Sequence, residues 1–246
     1  MKPIPQDPYS RDFSYFNREH LIRTRIVQSD WWDRASRFVD SHYSNTSGVM
    51  LVDHLEAVYQ NVDSIFSAPP NAFLIDLFKF ISTLGLDVTQ LHLLLKIVAL
   101  LHDIGKTEDD KSVMIPHPLF GYSTVKRHSV VSVYAAMEIL EEEELLSAEE
   151  RALLFSVIEE HDVSFGLFKE YKMCGWLPSF ERWKILNDKI STQPGVGLLY
   201  LLIFKLADIH GHANIEDVTW FYHNVNQTYF SRYGFLLPLP AESDIR

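Results

Sequence analysis

Apolar residues recur every three or four positions along most of this chain, the period of a helix that buries one face. From Val49 onward, Leu51, Leu55, Val58, Val62 and Ile65 draw such a stripe, and it stops at Ala68-Pro69-Pro70. The same spacing predicts helices over 71–84, closed by Gly85, over 128–146, and over 148–162, where Ser147-Ala148-Glu149-Glu150 has the spacing of a capping box. Residues 91–103 are apolar nearly all round, which predicts a central buried helix stopping at Gly105. Ser29 before Asp30 and Trp31-Trp32 marks a capped start, Pro194-Gly195 precedes a largely apolar helix over 196–212, and a last helix fits 216–229. Gly166, Gly175 and Pro178 mark a loop or a short broken segment. Alternating strand patterns are scarce and no internal repeat is present, so the expected class is all-α, a single-domain helical bundle.

The first ten residues carry three prolines and no apolar period. They predict an N-terminal arm over 1–28, a helical domain over 29–230 and a C-terminal tail over 231–246. With 246 residues, 47% of them hydrophobic and 22% charged, the chain can bury a sizeable core. Its net charge of −11 repels nucleic acid phosphates and anionic lipid, so neither general nucleic acid binding nor a membrane partner is expected. A single cysteine, Cys174, closes no internal disulfide and leaves no thiolate pair for zinc, and the expected location is cytoplasmic. No apolar run approaches the roughly 20 residues of a bilayer span, and none follows the first lysine as in a secretory signal. The acidic run Glu141 to Glu144 suits a solvated turn, and the Trp31-Trp32 and Trp220-Phe221-Tyr222 clusters suit helix packing.

Candidate chemistry begins with polar residues on the apolar sides of these helices. His54 falls three residues after Leu51 and four before Val58; His102 continues the face of Leu91, Leu94, Leu95 and Val98, with Asp103 directly after it. His128 precedes Val131, Ala135 and Ile139 at helical intervals, His161 follows Leu154, Val157 and Ile158, and Asp208 lies four residues after Phe204. One histidine on an apolar face is usually a hydrogen-bonded core residue. A buried carboxylate costs several kcal/mol, of order 3–5 when its partner is missing, so Asp103 and Asp208 each need one. Lys96 or Lys205 could serve, yet four inward imidazoles with two carboxylates suit a metal better. The mixed nitrogen and oxygen donors favour a divalent Mn, Fe, Co, Ni or Zn ion over Mg.

The order of these residues, His54, then His102-Asp103 in LLHDIGK, and finally Asp208 in KLADIHGH, resembles the H…HD…D pattern of the HD-domain metal-dependent phosphohydrolase superfamily. His128 in HSVVSVYAAMEIL and His161 in VIEEHD stand where members with extra ligands carry their third and fourth histidines. The resemblance covers about 50–212 and implies an HD-type bundle, with the segment 69–88 as an inserted helix. It further implies that His54, His102, Asp103 and Asp208 hold one metal, while Asp103 bridges to a second held by His128 and His161. His42 remains an alternative first ligand, and His117 in IPHPLFGYS is a rival for the third histidine. Asp103 would orient the attacking water, and Lys106, the lysine after His-Asp-x-Gly, would lie near substrate phosphate. Lys106, His117 and His212 are the candidate substrate contacts.

The implied activity is hydrolysis of a nucleotide or other small phosphate ester. Two alternatives stand beside it: an HD-fold di-iron oxygenase, and a non-catalytic HD-like binding module. The partner expected is a small phosphorylated substrate, and homo-oligomerisation stays open.

Overall fold

The computed structural model describes residues 8–40, 49–67, 71–119, 121–141, 145–208 and 215–240. Helices α1 (Pro8–Val27), α2 (Asp30–Ala35), α3 (Leu51–Ser67), α4 (Ala72–Thr83) and α5 (Val88–Leu101) come first. A 3-10 turn (Ile104–Glu108) and a hairpin of β1 (Asp110–Pro116) and β2 (Ser123–Lys126) follow. Then come α6 (His128–Leu140), α7 (Ala148–Glu160), α8 (Val163–Cys174), α9 (Phe180–Ile190), α10 (Val196–Asp208), α11 (Ile215–Thr228) and a closing 3-10 turn (Phe230–Tyr233). Among the described residues the fold is all-α apart from an antiparallel hairpin and an isolated bridge between Val39 and Met50.

Local chemistry explains the boundaries. Asn71 accepts a hydrogen bond from the Leu74 amide at the start of α4, Asp87 does the same for Thr89 and Gln90 at α5, and Ser147 and Glu150 form the capping box of α7. The centre is α5, buried from Leu93 to Leu101 and enclosed by α1, α3, α7 and α10. By length and composition the span Val88–Glu108 is apolar enough to cross a membrane; 78% of that window is buried inside the fold. Its all-round apolarity follows from packing on every side.

Three segments depart from the expectation. The stretch read as an arm, 1–28, carries α1, whose Ile22 and Ile26 are fully buried against the common core. Proline is accommodated at a first helical position because its missing N–H has no intrahelical partner there, so Pro8 opens α1 rather than preventing it. The segment read as broken holds α8 and α9. Gly166 sits inside α8, a cost of about 0.5–1 kcal/mol that burial of Leu167, Phe168, Trp183 and Leu186 outweighs. Gly175, at φ 70°, ends α8 in the left-handed cap that glycine favours. The hairpin was not expected, because β1 is exposed at nearly every position and so lacks an apolar alternation.

Candidate metal centre

Helix termini and one turn build the site. His54 occupies the first turn of α3 and His102 the residue that ends α5; His128 opens α6, His161 ends α7 and Asp208 closes α10. Asp103, at φ −112° and ψ 0°, has left the helix, so its carboxylate need not follow the helical rotation from His102. The site also needs α6 to approach closely. Gly105 donates its amide to Ser132 Oγ at 2.9 Å, and a Cβ on it would overlap the His128 carbonyl and the Ser132 amide. Glycine is required there by space rather than by backbone conformation. Asn61 on α3 donates to the Ala207 carbonyl at 2.9 Å, which ties the end of α10, and thus Asp208, to the helix carrying His54.

All six residues expected as ligands meet. His54 Nε2 lies 3.2 Å from His102 Nε2, 3.4 Å from Asp103 Oδ2 and 3.6 Å from Asp208 Oδ1. His102 Nε2 is 3.3 Å from Asp103 Oδ2 and 3.4 Å from Asp208 Oδ1. The other oxygen of Asp103, Oδ1, faces His128 Nε2 at 3.3 Å and His161 Nε2 at 3.4 Å. One carboxylate therefore separates two groups of donors, His54–His102–Asp103 and Asp103–His128–His161, each able to hold a metal ion.

Tautomers agree with that use. His102 Nδ1 is 3.0 Å from the Ala99 carbonyl and His161 Nδ1 is 2.7 Å from the Ile158 carbonyl. A carbonyl only accepts, so Nδ1 carries hydrogen in both rings, and in the neutral imidazole Nε2 presents a lone pair to the cluster. Each bond also satisfies a carbonyl left open by the last turn of its helix. Phe204 of α10 packs edge-on against both rings, at centroid distances of 5.1 Å from His102 and 6.2 Å from His161. Asp103 Oδ1 and His128 Nε2 are buried atoms without a hydrogen-bond partner, which a bound cation would explain.

Charges point the same way. Burial opposes ionisation of His102, but the carboxylates of Asp103 and Asp208 outweigh it and push the imidazole up to about 10. Burial would raise both carboxylates, yet His102 and Lys106 hold Asp103 well below the usual range, while His102, Lys205 and His54 do so for Asp208. The cluster attracts positive charge, and a divalent ion competes with protons for it.

Lys106 Nζ lies 2.6 Å from Asp103 Oδ2 and 3.5 Å from Asp40 Oδ1, inside the site at its first half. His117 lies outside both donor groups. It is buried at the end of the hairpin with Nε2 2.8 Å from Glu159 Oε1, and Nδ1 accepts from the Leu119 amide. His212 and His42 lie outside the described residues. Lys96 pairs with Glu19 and Asp63 rather than with either site carboxylate, and Lys205 with Asp217 at 3.1 Å. Sequence reasoning missed Asp162, whose Oδ2 is 3.0 Å from His128 Nε2 and whose Oδ1 is 3.7 Å from His161 Nε2. His102 is fully buried, whereas side-chain exposure is 18% at His128 and Asp208 and 49% at Asp162, so solvent reaches the cluster from that side. An open groove of about 580 Å³ between Phe80 of α4 and residues 234–239 holds none of these residues.

Compared with known proteins, the chain matches no protein family and no curated protein.

Proposed function

We propose that this protein is a metal-dependent phosphohydrolase of the HD type, acting on a nucleotide or another small phosphate ester. The observation that carries the reading is the division of Asp103: one oxygen toward His54 and His102, the other toward His128 and His161. A carboxylate shared in this way suits two cations better than one, as in two-metal hydrolytic sites. When bound, such ions supply an acidified water and positive charge opposite the phosphoryl oxygens. Mn, Fe, Co, Ni or Zn suits the mixed donors.

The chain's own residues supply positioning. Ala99 and Ile158 fix the rings of His102 and His161 through Nδ1, so Nε2 is presented without rotation of either ring. Lys106 holds Asp103 Oδ2 and places a half-buried cation beside the cluster, where it would offset charge on a phosphoryl group. Lys205, one turn before Asp208, adds a second. Two divalent ions with these lysines would leave the site receptive to an anion, which favours phosphate esters over neutral polyols.

The test is a panel of phosphomonoesters, phosphodiesters and nucleoside phosphates given to protein loaded separately with Mn²⁺, Fe²⁺, Co²⁺, Ni²⁺ and Zn²⁺. Metal-dependent hydrolysis of at least one class is expected, read as phosphate release from monoesters or as a new monoester from diesters. A folded, metal-loaded protein inactive across the panel would overturn the reading, and oxygen uptake restricted to the iron form would replace it with a di-iron oxygenase.

A further inference from the structure

Asp162 stands at the N-cap position of α8, yet its carboxylate makes no capping hydrogen bond. An N-cap aspartate that accepts from its own helix contributes about 0.5–2 kcal/mol. Here the side chain turns instead to the cluster, with Oδ2 3.0 Å from His128 Nε2. That approach lacks hydrogen-bond geometry, because His128 Nε2 is among the buried atoms without a partner. Two atoms in contact range but not aligned on each other suit a third atom lying between them.

The two halves of the cluster then match. In the first, the Nε2 atoms of His54 and His102 face Asp103 Oδ2 and Asp208 Oδ1. In the second, the Nε2 atoms of His128 and His161 face Asp103 Oδ1 and the carboxylate of Asp162. We infer that Asp162 is a terminal ligand of the second metal ion, the counterpart of Asp208 at the first. The inference rests on the two-ion reading above, and it gives each ion two imidazoles, one oxygen of the shared Asp103 and one carboxylate of its own. Because Asp162 is the most exposed member, the second ion is the one nearer solvent and the one released first.

Calorimetric titration of the metal-free, full-length chain with Co²⁺ alone tests this in wild type, D162N, D162E and H128A. Asparagine matches aspartate in shape and also suits an N-cap position, so D162N removes the charge with little change to the start of α8. Wild type should take up two ions. D162N should keep the first at unchanged affinity and bind the second at least about tenfold more weakly, since loss even of a residue that only orients a ligand costs that much. D162E should recover part of the loss, and H128A should lose the second ion altogether. Unchanged uptake by D162N beside a loss in H128A would overturn the role of Asp162 and leave the two-ion reading standing. Equal weakening of both ions in D162N would also overturn it, and a wild type that takes one ion or none would overturn the inference together with its premise. Should D162N fail to fold, anomalous scattering from Zn²⁺-loaded wild-type crystals decides. An Asp162 oxygen about 2.0–2.2 Å from the second ion supports the assignment, and one outside ligand distance refutes it.

Discussion

His54 and His102 meet Nε2 to Nε2 at 3.2 Å. The Nδ1–H of His102 is committed to the Ala99 carbonyl, so its inner nitrogen is a lone pair when the ring is neutral. A neutral N–H of His54 can bridge the two nitrogens, but the carboxylates of Asp103 and Asp208 beside them favour a cation in the cluster, as a proton or as a metal. Metal removal should therefore destabilise the fold. Dialysis against a chelator is expected to lower the melting temperature of wild type, and re-addition of Co²⁺ at a hundred times its dissociation constant should restore about 2.7 kcal/mol per ion. H102A should show neither the loss nor the recovery at the first ion, as read by scanning calorimetry.

Gly105 and Gly166 predict opposite responses to the same change. Gly105→Ala places a methyl group against the backbone of α6 at His128 and Ser132, and that helix must retreat. We expect a loss of about 1–3 kcal/mol in denaturant unfolding and weaker uptake of the second ion, whose proposed ligand His128 moves with α6. Gly166 is exposed within α8 with open space around its Cβ position, so Gly166→Ala should stabilise by about 0.5–1 kcal/mol and leave metal uptake alone.

His117 should matter for folding and not for metal. Its ring and the Glu159 carboxylate are buried together, docking the end of the hairpin on α7. His117→Ala leaves that carboxylate short of a partner and is expected to cost about 2–3 kcal/mol in urea unfolding, with unchanged ion stoichiometry by elemental analysis.

Glu150 gives a stability term that depends on pH. Burial would raise its carboxyl, but the Arg18 guanidinium, the Ser147 amide and Gln90 outweigh burial and hold it below the usual glutamate range. A folded value below the unfolded one means the contribution is complete above the unfolded pKa, about 4.3, and is lost as pH falls through the folded value. The difference in unfolding free energy between wild type and E150Q should therefore be largest at neutral pH and shrink toward pH 3. Measuring both proteins at each pH cancels the titration of the metal-site carboxylates.

The candidate ligands were legible because histidines and aspartates on apolar stripes break a pattern that packing otherwise enforces. His54, His102, His161 and Asp208 each replace an expected core residue at helical spacing. Asp162 gave no such signal: it follows His161 in a turn, and in EEHD it looks like one more surface acid. Its one distinguishing feature in sequence is that it directly follows a candidate ligand, His161. Gly166 and the N-terminal prolines misled for a related reason, since local punctuation is weaker than the burial of Phe168 or Ile22, which only the assembled core reveals. The pairing of His117 with Glu159 was not legible either, because nothing in sequence places the two side by side.

The shared carboxylate of Asp103 is tested most directly by counting ions. Elemental analysis of tag-free protein, reconstituted and freed of excess metal, should find two divalent ions per chain in wild type. In Asp103→Asn, which keeps the shape but removes the charge that both halves use, it should find fewer than one. Two ions retained by that variant, or one alone in wild type with no change on substitution, would contradict the account.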